Sequence, residues 1–436
     1  MLLYSPYSPS RLKYVVGFIN KELFDDPIRI TTDKIEFNSY VHPKLNYSDQ
    51  EFSRDEFFIK RTALLFETGI EKQDIECFEL NYYKAFFQTS GDFPFDIFAA
   101  IFYLLSRYEE YLPHEKDKYG RFLHTQSLAH RENFLQIPLI NIWLQDLKKS
   151  LRDKYPGIIF HRSNFKFIPT YDIDIAYSYL HKGWKRNAGG LLRSAAKGNW
   201  TMVKDRIRVL SGKMKDPYDS YEWLDSLHLY CRLRAYYFFL VAKDQREYDK
   251  NISPDNQELK NLVRYHAHGY TVGIHPSWQS GDNESLLEEE IDRLEHLIDK
   301  KVSHSRQHYI RLCLPETYRR LIKVGIEKDF SMGYGTINGF RASVAASFYW
   351  YDLEKEEQTG LMIFPFCYMD ANSYYEQNLT AQQALHELMN YYHAIKKVNG
   401  LMVTIWHNNF LGRDPEFSGW KEVYEVFLKE EVYWDM

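Results

Sequence analysis

From residue 165 onward the chain repeats one unit, a short apolar run followed by an amphipathic stretch. Such runs are typical of buried strands, and the stretches between them are typical of helices that cover a parallel sheet. The order of the runs therefore predicts an α/β fold. Seven of them follow one another, at residues 165–174, 235–241, 270–276, 305–312, 329–334, 361–369 and 401–407.

The helix before the last run has readable ends. Thr380 and Gln383 have the spacing of a capping box, in which each side chain accepts a hydrogen bond from the other residue's backbone N–H. Gly400 follows the last periodic residue and is a typical helix stop. The pattern predicts one long helix between the sixth and seventh strands.

The first 160 residues lack this alternation. They combine short strand-like runs, such as residues 14–19, with two long helical patterns at residues 95–111 and 139–152. A chain of 436 residues is longer than one hydrophobic core usually serves. We therefore expect a smaller α+β domain of unassigned function over residues 1–160, followed by the α/β domain over residues 161–436.

Charge and composition exclude several classes of protein. The net charge of -5 argues against a nucleic-acid-binding protein, whose surface carries a basic excess. Residues 1–6 resemble no signal peptide, and no later segment is a continuous transmembrane run. The four cysteines lie far apart, without the spacing of a disulfide framework or a thiolate zinc site. We expect a cytoplasmic protein without a transmembrane segment.

Residues 181–215 interrupt the alternation with a basic helical insertion. The segment carries ten lysine and arginine side chains and is weakly amphipathic. A charge run of this kind is typical of a solvated pair of helices, but it also suits peripheral contact with an anionic lipid or an anionic glycan. The sequence leaves both interpretations open.

The first apolar run ends in two carboxylates, Asp172 and Asp174. In a strand, residues two apart point to the same face, and the carboxyl ends of parallel strands are where α/β folds place their chemistry. Two carboxylates at one place repel each other unless a cation or protons intervene. The pair therefore indicates one metal ligand and one neighbouring base.

Later runs add imidazoles and a guanidinium at the same end. His275 ends the third run, Arg306 and His308 lie two apart on the fourth, and His407 ends the seventh. Imidazole beside carboxylate favours zinc, cobalt, nickel or iron over magnesium or calcium. Arg306 could hold a carboxylate ionised and oriented, and His407 could donate a proton to a leaving group. From the strands alone, a structural role explains His275 and His407 equally well.

Other side chains at this end are weaker candidates. Arg341 and Asp370 follow the fifth and sixth runs, with structural or substrate-facing roles. Trp406 and Asn408 flank His407, and Trp278 follows His275. We expect weak substrate contacts from Arg341, Trp406, Asn408 and Trp278.

Taken in order, these motifs resemble the polysaccharide deacetylase family (NodB homology, carbohydrate esterase family 4). The resemblance covers roughly residues 160 to 430, and the preceding part resembles an uncharacterised domain found before some bacterial deacetylase domains. It implies a distorted (β/α)7 barrel of the glycoside hydrolase/deacetylase type, which binds one divalent metal and removes an N-acetyl or related acyl group from a sugar or glycan. The motifs are Thr170-Tyr171-Asp172-Ile173-Asp174, Gly273-Ile274-His275-Pro276-Ser277, Arg306 and Trp406-His407-Asn408.

The resemblance also implies a role for each matching residue. Asp172 matches the general base and Arg306 the arginine that orients it. Asp174 and His275 match two metal ligands, with zinc the first choice of metal. His407 matches the histidine that protonates the leaving amine.

One position departs from the family pattern. The family places a second metal histidine four residues after the first, and here that position is Gln279, a poor transition-metal ligand. His308 is a replacement third ligand. The leading hypothesis is a metal-dependent hydrolase in carbohydrate metabolism. The alternatives are a non-catalytic glycan-binding or scaffold protein on a decayed deacetylase barrel, and an enzyme that cleaves another carbon–nitrogen bond in a small amide.

Overall fold

A computed structural model describes residues 1–245 and 247–435. Residues 1–160 contain a parallel four-stranded sheet in the order β2-β1-β3-β4, an antiparallel hairpin of β5 and β6, and several helices. The strands are β1 (Leu2–Tyr4), β2 (Arg29–Thr31), β3 (Lys44–Ser48), β4 (Phe57–Lys60), β5 (Cys77–Leu80) and β6 (Tyr83–Phe86). The helices are α1 (Ser10–Leu23), α2 (Lys34–Ser39), α3 (Ile97–Leu105), α4 (Leu128–Arg131) and α5 (Leu139–Lys154).

The strand predicted at residues 14–19 is wrong, because this run lies inside helix α1. Leu12, Val15, Val16 and Ile19 are buried. They recur at intervals of three and four residues, so that one helical face packs on the core. The helical pattern at residues 139–152 is confirmed as α5, whereas the pattern at residues 95–111 is divided into α3 and a 3-10 turn, Tyr108–Tyr111, because Arg107 has the left-handed φ of 55°.

The rest of the chain forms a nine-stranded sheet in the order β12-β13-β11-β10-β9-β8-β7-β15-β14. All neighbours in this sheet are parallel except β12 and β13. The strands are β7 (Lys166–Ile173), β8 (Tyr236–Phe239), β9 (Thr271–Ile274), β10 (His304–Ser305), β11 (Lys328–Asp329), β12 (Phe348–Asp352), β13 (Glu357–Ile363), β14 (Tyr368–Met369) and β15 (Leu401–His407).

Helices connect these strands and complete the α/β fold. Thr380 caps the N-terminus of α12 through the predicted capping box with Gln383. No helix of the described residues is both long and apolar enough to cross a bilayer. The helices are α6 (Gly183–Ala196), α7 (Trp200–Leu210), α8 (Tyr221–Cys231), α9 (Gln257–Gly269), α10 (Glu284–Ile298), α11 (Glu316–Lys323), α12 (Ala381–Lys397) and α13 (Trp420–Val426).

Each of the seven predicted runs contributes to this sheet, and the predicted α/β fold is confirmed. The strands of the fourth and fifth runs, β10 and β11, are only two residues long, so Arg306 and His308 lie beyond the strand rather than on it. The sixth run is shared between two strands: Met362 pairs with β11, and Tyr368 pairs with β15 on the other side. Strands β12 and β14 are the two ends of the hydrogen-bonded ladder, which does not close on itself.

Apolar side chains from both parts of the chain form one continuous core. A buried ionic cluster lies between the two parts: Glu110 accepts hydrogen bonds from Arg107 Nε at 2.8 Å and from Arg341 Nε at 2.9 Å. Burial raises the pKa of Glu110, but the two guanidinium groups lower it more, to about 2. The predicted substrate contact of Arg341 is therefore corrected, because its side chain is buried and occupied by Glu110 and the Gly333 carbonyl.

Candidate metal centre and active site

The carboxyl ends of β7, β9 and β15 meet at a cavity of about 360 Å³. Parallel strands all direct this end toward the same edge of the sheet, so polar residues that follow different strands converge there. The cavity lies near the lower end of the usual range for small-molecule sites, roughly 300–1,000 Å³. Its lining includes Asp172, Asp174, His275, His308 and His407.

Three of these side chains form a cluster that could hold a metal ion. Ligand atoms of Asp174, His275 and His308 all lie within 4.8 Å of one another. His275 Nε2 is 3.0 Å from Asp174 Oδ1, and His308 Nε2 is 3.5 Å from Asp174 Oδ2. Asp174 Oδ1 is buried, and although His275 Nε2 lies 3.0 Å away, no contact in the described part of the chain gives this oxygen hydrogen-bond geometry. A cation among these atoms would satisfy that oxygen, so the residues fit a divalent metal.

The two imidazoles are fixed by partners on their far sides. His275 Nδ1 bonds the Arg306 carbonyl at 2.6 Å, and His308 Nδ1 bonds Asp249 Oδ1 at 2.9 Å. A donor bond at Nδ1 leaves the Nε2 lone pair free to bind a metal, and such outer partners also raise the basicity of the ligand. Two Nε2 atoms and a carboxylate oxygen are a donor set for zinc, cobalt, nickel or iron.

Asp174 and His308 shift each other's pKa. Burial raises the pKa of Asp174, but His308 and His275 lower it more, so the net pKa lies well below its usual range. Burial lowers the pKa of His308, but Asp174 and Asp249 raise it more, to about 9. A metal would therefore displace a proton from His308, since a metal-binding imidazole must be neutral.

Gln279, where the family pattern has a histidine, is not among the residues that line the cavity. It precedes a short 3-10 helix, Ser280–Asp282. His308 instead begins a 3-10 turn after β10, in which Tyr309 has φ 56° and Ile310 has φ 54°. Left-handed backbone is costly for a β-branched residue and is concentrated at functional sites. This turn brings His308 into the cluster.

Asp172 lies beside the cluster and is held by a buried arginine. Arg306 Nη1 donates to Asp172 Oδ1 at 3.2 Å and to Thr170 Oγ1 at 2.7 Å. Arg306 Nε donates to the Phe330 carbonyl at 3.0 Å, which fixes the guanidinium from the other side. Asp172 Oδ2 is 4.0 Å from His275 Nε2. The carboxylate is thus oriented next to the candidate metal site without belonging to the three-residue cluster.

His407 faces the same cavity from the end of β15. Its Nδ1 is 2.6 Å from Asp370 Oδ1, its backbone N–H donates to Asp370 Oδ2 at 2.7 Å, and its Nε2 is 3.6 Å from Asp174 Oδ2. Burial lowers the pKa of His407, but Asp370 and then Asp174 and Asp172 raise it more, to about 10. The imidazole is therefore a proton donor at neutral pH. Asp370 is the residue that orients it.

Two further predicted substrate contacts are corrected by the structure. Trp406 is buried behind β15, where its ring packs on Tyr424 with a centroid distance of 4.3 Å. Asn408 Nδ2 donates to the Tyr218 carbonyl at 3.0 Å and tethers two loops. Since alternate strand residues point to opposite faces, His407 faces the cavity while Trp406 faces the covering helices.

An aromatic cluster forms one wall of the site. Tyr248 stacks on Trp278 with a centroid distance of 4.2 Å, and Tyr119 and Tyr309 contact the same indole edge-on at 5.5 Å and 5.6 Å. Tyr119, Tyr248 and Tyr309 line the cavity directly, so Trp278 supports the wall from behind. Tyr119 comes from the N-terminal part, where Arg121 anchors the same turn by donating to the Tyr309 carbonyl at 2.7 Å.

Sequence reasoning missed Asp249 and Tyr119 entirely. Asp249 lies in a loop rich in charges, where nothing distinguishes it from its neighbours. Tyr119 lies in a turn of the N-terminal part, to which the sequence assigns no chemistry. Only the packing of these loops on the cavity identifies them.

Replacing Asp249 by asparagine is expected to weaken zinc affinity by roughly 10- to 100-fold, the usual effect of losing a carboxylate partner of a metal-binding histidine. The neutral amide no longer stabilises the His308 ring in the orientation that directs Nε2 to Asp174. Competition titration with a chelator of known affinity measures the change. Asp282→Asn is the matched control, because Asp282 is exposed and pairs with Arg311. Equal affinity in the two variants would contradict the role of Asp249.

The N-terminal part of this chain matches a protein family in sequence, and about three fifths of the chain matches solved structures. Residues 1–156 match a family of unknown function, DUF7033. No curated protein matches the chain.

The similar solved structures come from polysaccharide deacetylases. A protein from Mycobacterium smegmatis that is described as a polysaccharide deacetylase is 11% identical to this chain, with a TM-score of 0.39. The match covers 63% of this chain and 86% of the Mycobacterium smegmatis chain. A polysaccharide deacetylase from Bacillus cereus is 12% identical, with a TM-score of 0.30, over 62% and 89%. A CE4 family pseudoenzyme variant with restored enzymatic activity is 10% identical, with a TM-score of 0.28, over 62% and 65%. At identities this low the likeness concerns the fold alone.

Proposed function

We propose that this protein is a metal-dependent hydrolase that removes an N-acetyl or related acyl group from a sugar or glycan. One observation carries the proposal: a fitting three-ligand cluster, a separately oriented carboxylate and an imidazole held by its own carboxylate surround one cavity. Amide hydrolysis needs an activated water, a base and a proton for the leaving amine. The cavity has a residue for each of these tasks.

Asp174, His275 and His308 would hold the metal, with zinc the first choice from the donor set. A bound divalent metal supplies a Lewis acid that polarises an amide carbonyl and lowers the pKa of water. Asp172 acts as the general base that accepts the proton of the attacking water. Arg306 keeps the Asp172 carboxylate directed into the cavity, because its guanidinium bonds Asp172 Oδ1 at 3.2 Å.

His407 donates the proton that the leaving amine requires. Its imidazolium form is favoured by Asp370, which also fixes the ring so that Nε2 faces the cavity. Proton transfer from a positioned acid of this kind contributes roughly 10²- to 10⁴-fold to a rate. The two acid–base residues approach the cluster from neighbouring strands, since His407 pairs with Asp172 in the ladder of β15 and β7.

The aromatic wall supports a carbohydrate substrate. Tyr119, Tyr248 and Tyr309 present ring faces or edges to the cavity beside the candidate metal site. Aromatic side chains offer flat apolar surface together with a polar tip, which suits the apolar face and the hydroxyls of a sugar ring. Tyr119 comes from the N-terminal part, so both parts of the chain contribute residues to this wall.

The proposal extends to the architecture. We infer a distorted (β/α)7 barrel that lacks a closed ladder of hydrogen bonds, in which residues 361–369 act as one strand between β11, bonded by the first half, and β15, bonded by the second. Residues 1–160 form a separate α+β domain that packs against this barrel. Their shared core and the buried cluster of Arg107, Glu110 and Arg341 support a rigid junction.

The test is acetate release from N-acetylated sugars by the purified, zinc-loaded protein. We expect release from at least one N-acetylhexosamine or its oligomers, loss of release on chelation, and recovery when zinc is added back. Simple N-acetylated amines serve as the control for a general amidase. Glycan binding without acetate release, insensitive to chelators, would instead show a binding module on a decayed barrel.

A further inference from the structure

Helix α6 is built with its polar side inward, and α7 packs beside it. The buried residues of α6 are Asn187 and Ser194, and that of α7 is Val209. Asn187 Nδ2 donates to the Tyr179 carbonyl at 2.9 Å, and Arg206 of α7 reaches the Asn187 carbonyl at 3.4 Å. A surface helix normally packs its apolar side on the core, so α6 reverses the usual arrangement.

The apolar side chains of the pair point to solvent. Trp184 is 76% exposed, Leu192 72%, Trp200 62% and Ile207 53%. Trp184 and Leu192 are eight residues apart on α6, and Trp200 and Ile207 are seven apart on α7, so each helix carries its exposed residues on one side. Trp184, Ala188 and Leu191 of α6 and Leu210 of α7 line one shallow groove, so apolar side chains of the two helices lie next to each other there.

Cations surround these apolar side chains. Lys185 and Arg193 of α6 and Lys204 and Arg208 of α7 are exposed, as is Lys197 between the helices. Within residues 1–245 and 247–435 none of them pairs with a carboxylate. Across residues 181–215 the single acidic side chain is Asp205, against ten lysines and arginines in a chain of net charge -5. We call these nine residues, Trp184, Lys185, Leu192, Arg193, Lys197, Trp200, Lys204, Ile207 and Arg208, the basic-apolar face.

We propose that the basic-apolar face docks on an anionic lipid bilayer. Exposed tryptophan, leucine and isoleucine flanked by lysine and arginine are the composition of helices that lie in the plane of a membrane interface. The cations bind the lipid headgroups, and the apolar side chains enter the boundary between headgroups and acyl chains. A soluble anionic glycan could use the cations and the two tryptophans, but it gives no role to the exposed aliphatic side chains of Leu192 and Ile207, which favour the bilayer.

The pair is also fastened to the rim of the cavity. Arg186 donates to Gln245 Oε1 at 2.8 Å and to the Asn251 carbonyl at 3.4 Å, at the two ends of the loop that carries Tyr248 and Asp249. Gly190 leaves room for the Arg206 guanidinium, which a Cβ at this position would displace. The basic-apolar face is thus held at a fixed position on the α/β part of the chain.

Co-sedimentation of the full chain with sucrose-loaded vesicles tests this docking. We expect binding to phosphatidylcholine vesicles that contain phosphatidylglycerol to be at least tenfold tighter than to phosphatidylcholine alone. Binding should weaken markedly between about 0.1 M and about 0.5 M salt, since screening shortens the reach of the cations. Absence of binding to the anionic vesicles, or equal binding to both lipid mixtures, would overturn the proposal.

Two variants separate the apolar and ionic contributions. Trp184→Ser with Trp200→Ser, and Lys185→Gln with Lys204→Gln, should each reduce binding to anionic vesicles by about tenfold or more. Ile35→Ser with Val41→Ser is the matched control, because both side chains are highly exposed in the N-terminal part. Thermal unfolding verifies that all variants are folded. Unchanged vesicle binding in the tryptophan variant refutes the proposal. The proposal is also refuted if the unmodified protein does not bind vesicles but forms a dimer, and the tryptophan variant is a monomer.

Discussion

The Asp174→Asn variant is expected to purify without stoichiometric zinc and to lose acetate release by roughly 10³-fold or more. Asp174 contributes the carboxylate that both His275 and His308 face, at 3.0 Å and 3.5 Å. An amide in its place keeps the shape but removes the negative charge that compensates the cation. Lewis acid chemistry is worth several kcal/mol of barrier, and about 1.4 kcal/mol corresponds to a tenfold rate.

Metal content by plasma emission spectrometry and acetate release on the same samples provide the measurement. Asp225→Asn is the control for the chemical change, because Asp225 accepts hydrogen bonds from Tyr265 and Tyr270 outside the cavity. It should keep both metal and turnover. If Asp174→Asn retained one zinc per chain with unchanged activity, the assignment of the metal cluster would be refuted.

The Asp172→Asn variant is expected to keep its zinc and lose about 10²- to 10⁴-fold in kcat, the usual contribution of a general base. Asp172 is held by Arg306, and its Oδ2 lies 4.0 Å from His275 Nε2, outside the three-ligand cluster. The amide cannot accept a proton from water, whereas the three metal ligands remain in place. Asp172→Asn should lose turnover but keep its metal, whereas Asp174→Asn should lose both, and this difference distinguishes the two residues.

Zinc affinity measured beside kcat decides the outcome. A fall in affinity comparable to that of Asp174→Asn would make Asp172 a metal ligand rather than a base. Full activity with full metal content would remove it from the chemistry altogether. In either case the roles assigned to the two carboxylates would have to be exchanged or abandoned.

Much of the fold was predictable because its signals are local. Seven apolar runs separated by amphipathic stretches led to the α/β fold, and the sheet uses all seven. Residues 14–19 were predicted to be a strand because they are rich in valine and isoleucine, which also occur on the buried side of a helix. Only the packing of α1 on the core decides between a strand and a helix here. The two-residue strands β10 and β11 are too short for periodicity to define their ends.

For the candidate site, the sequence alone determined which strands carry functional groups at their carboxyl ends. Asp172, Asp174, His275 and His407 follow from period-two alternation and from the common direction of parallel strands. Only the tertiary structure decided which side chains accompany them. The turn that brings His308 to Asp174, the Asp249 that orients it and the Tyr119 that completes the wall depend on contacts between segments far apart in the chain. Such contacts arise from packing and leave no mark on local sequence periodicity.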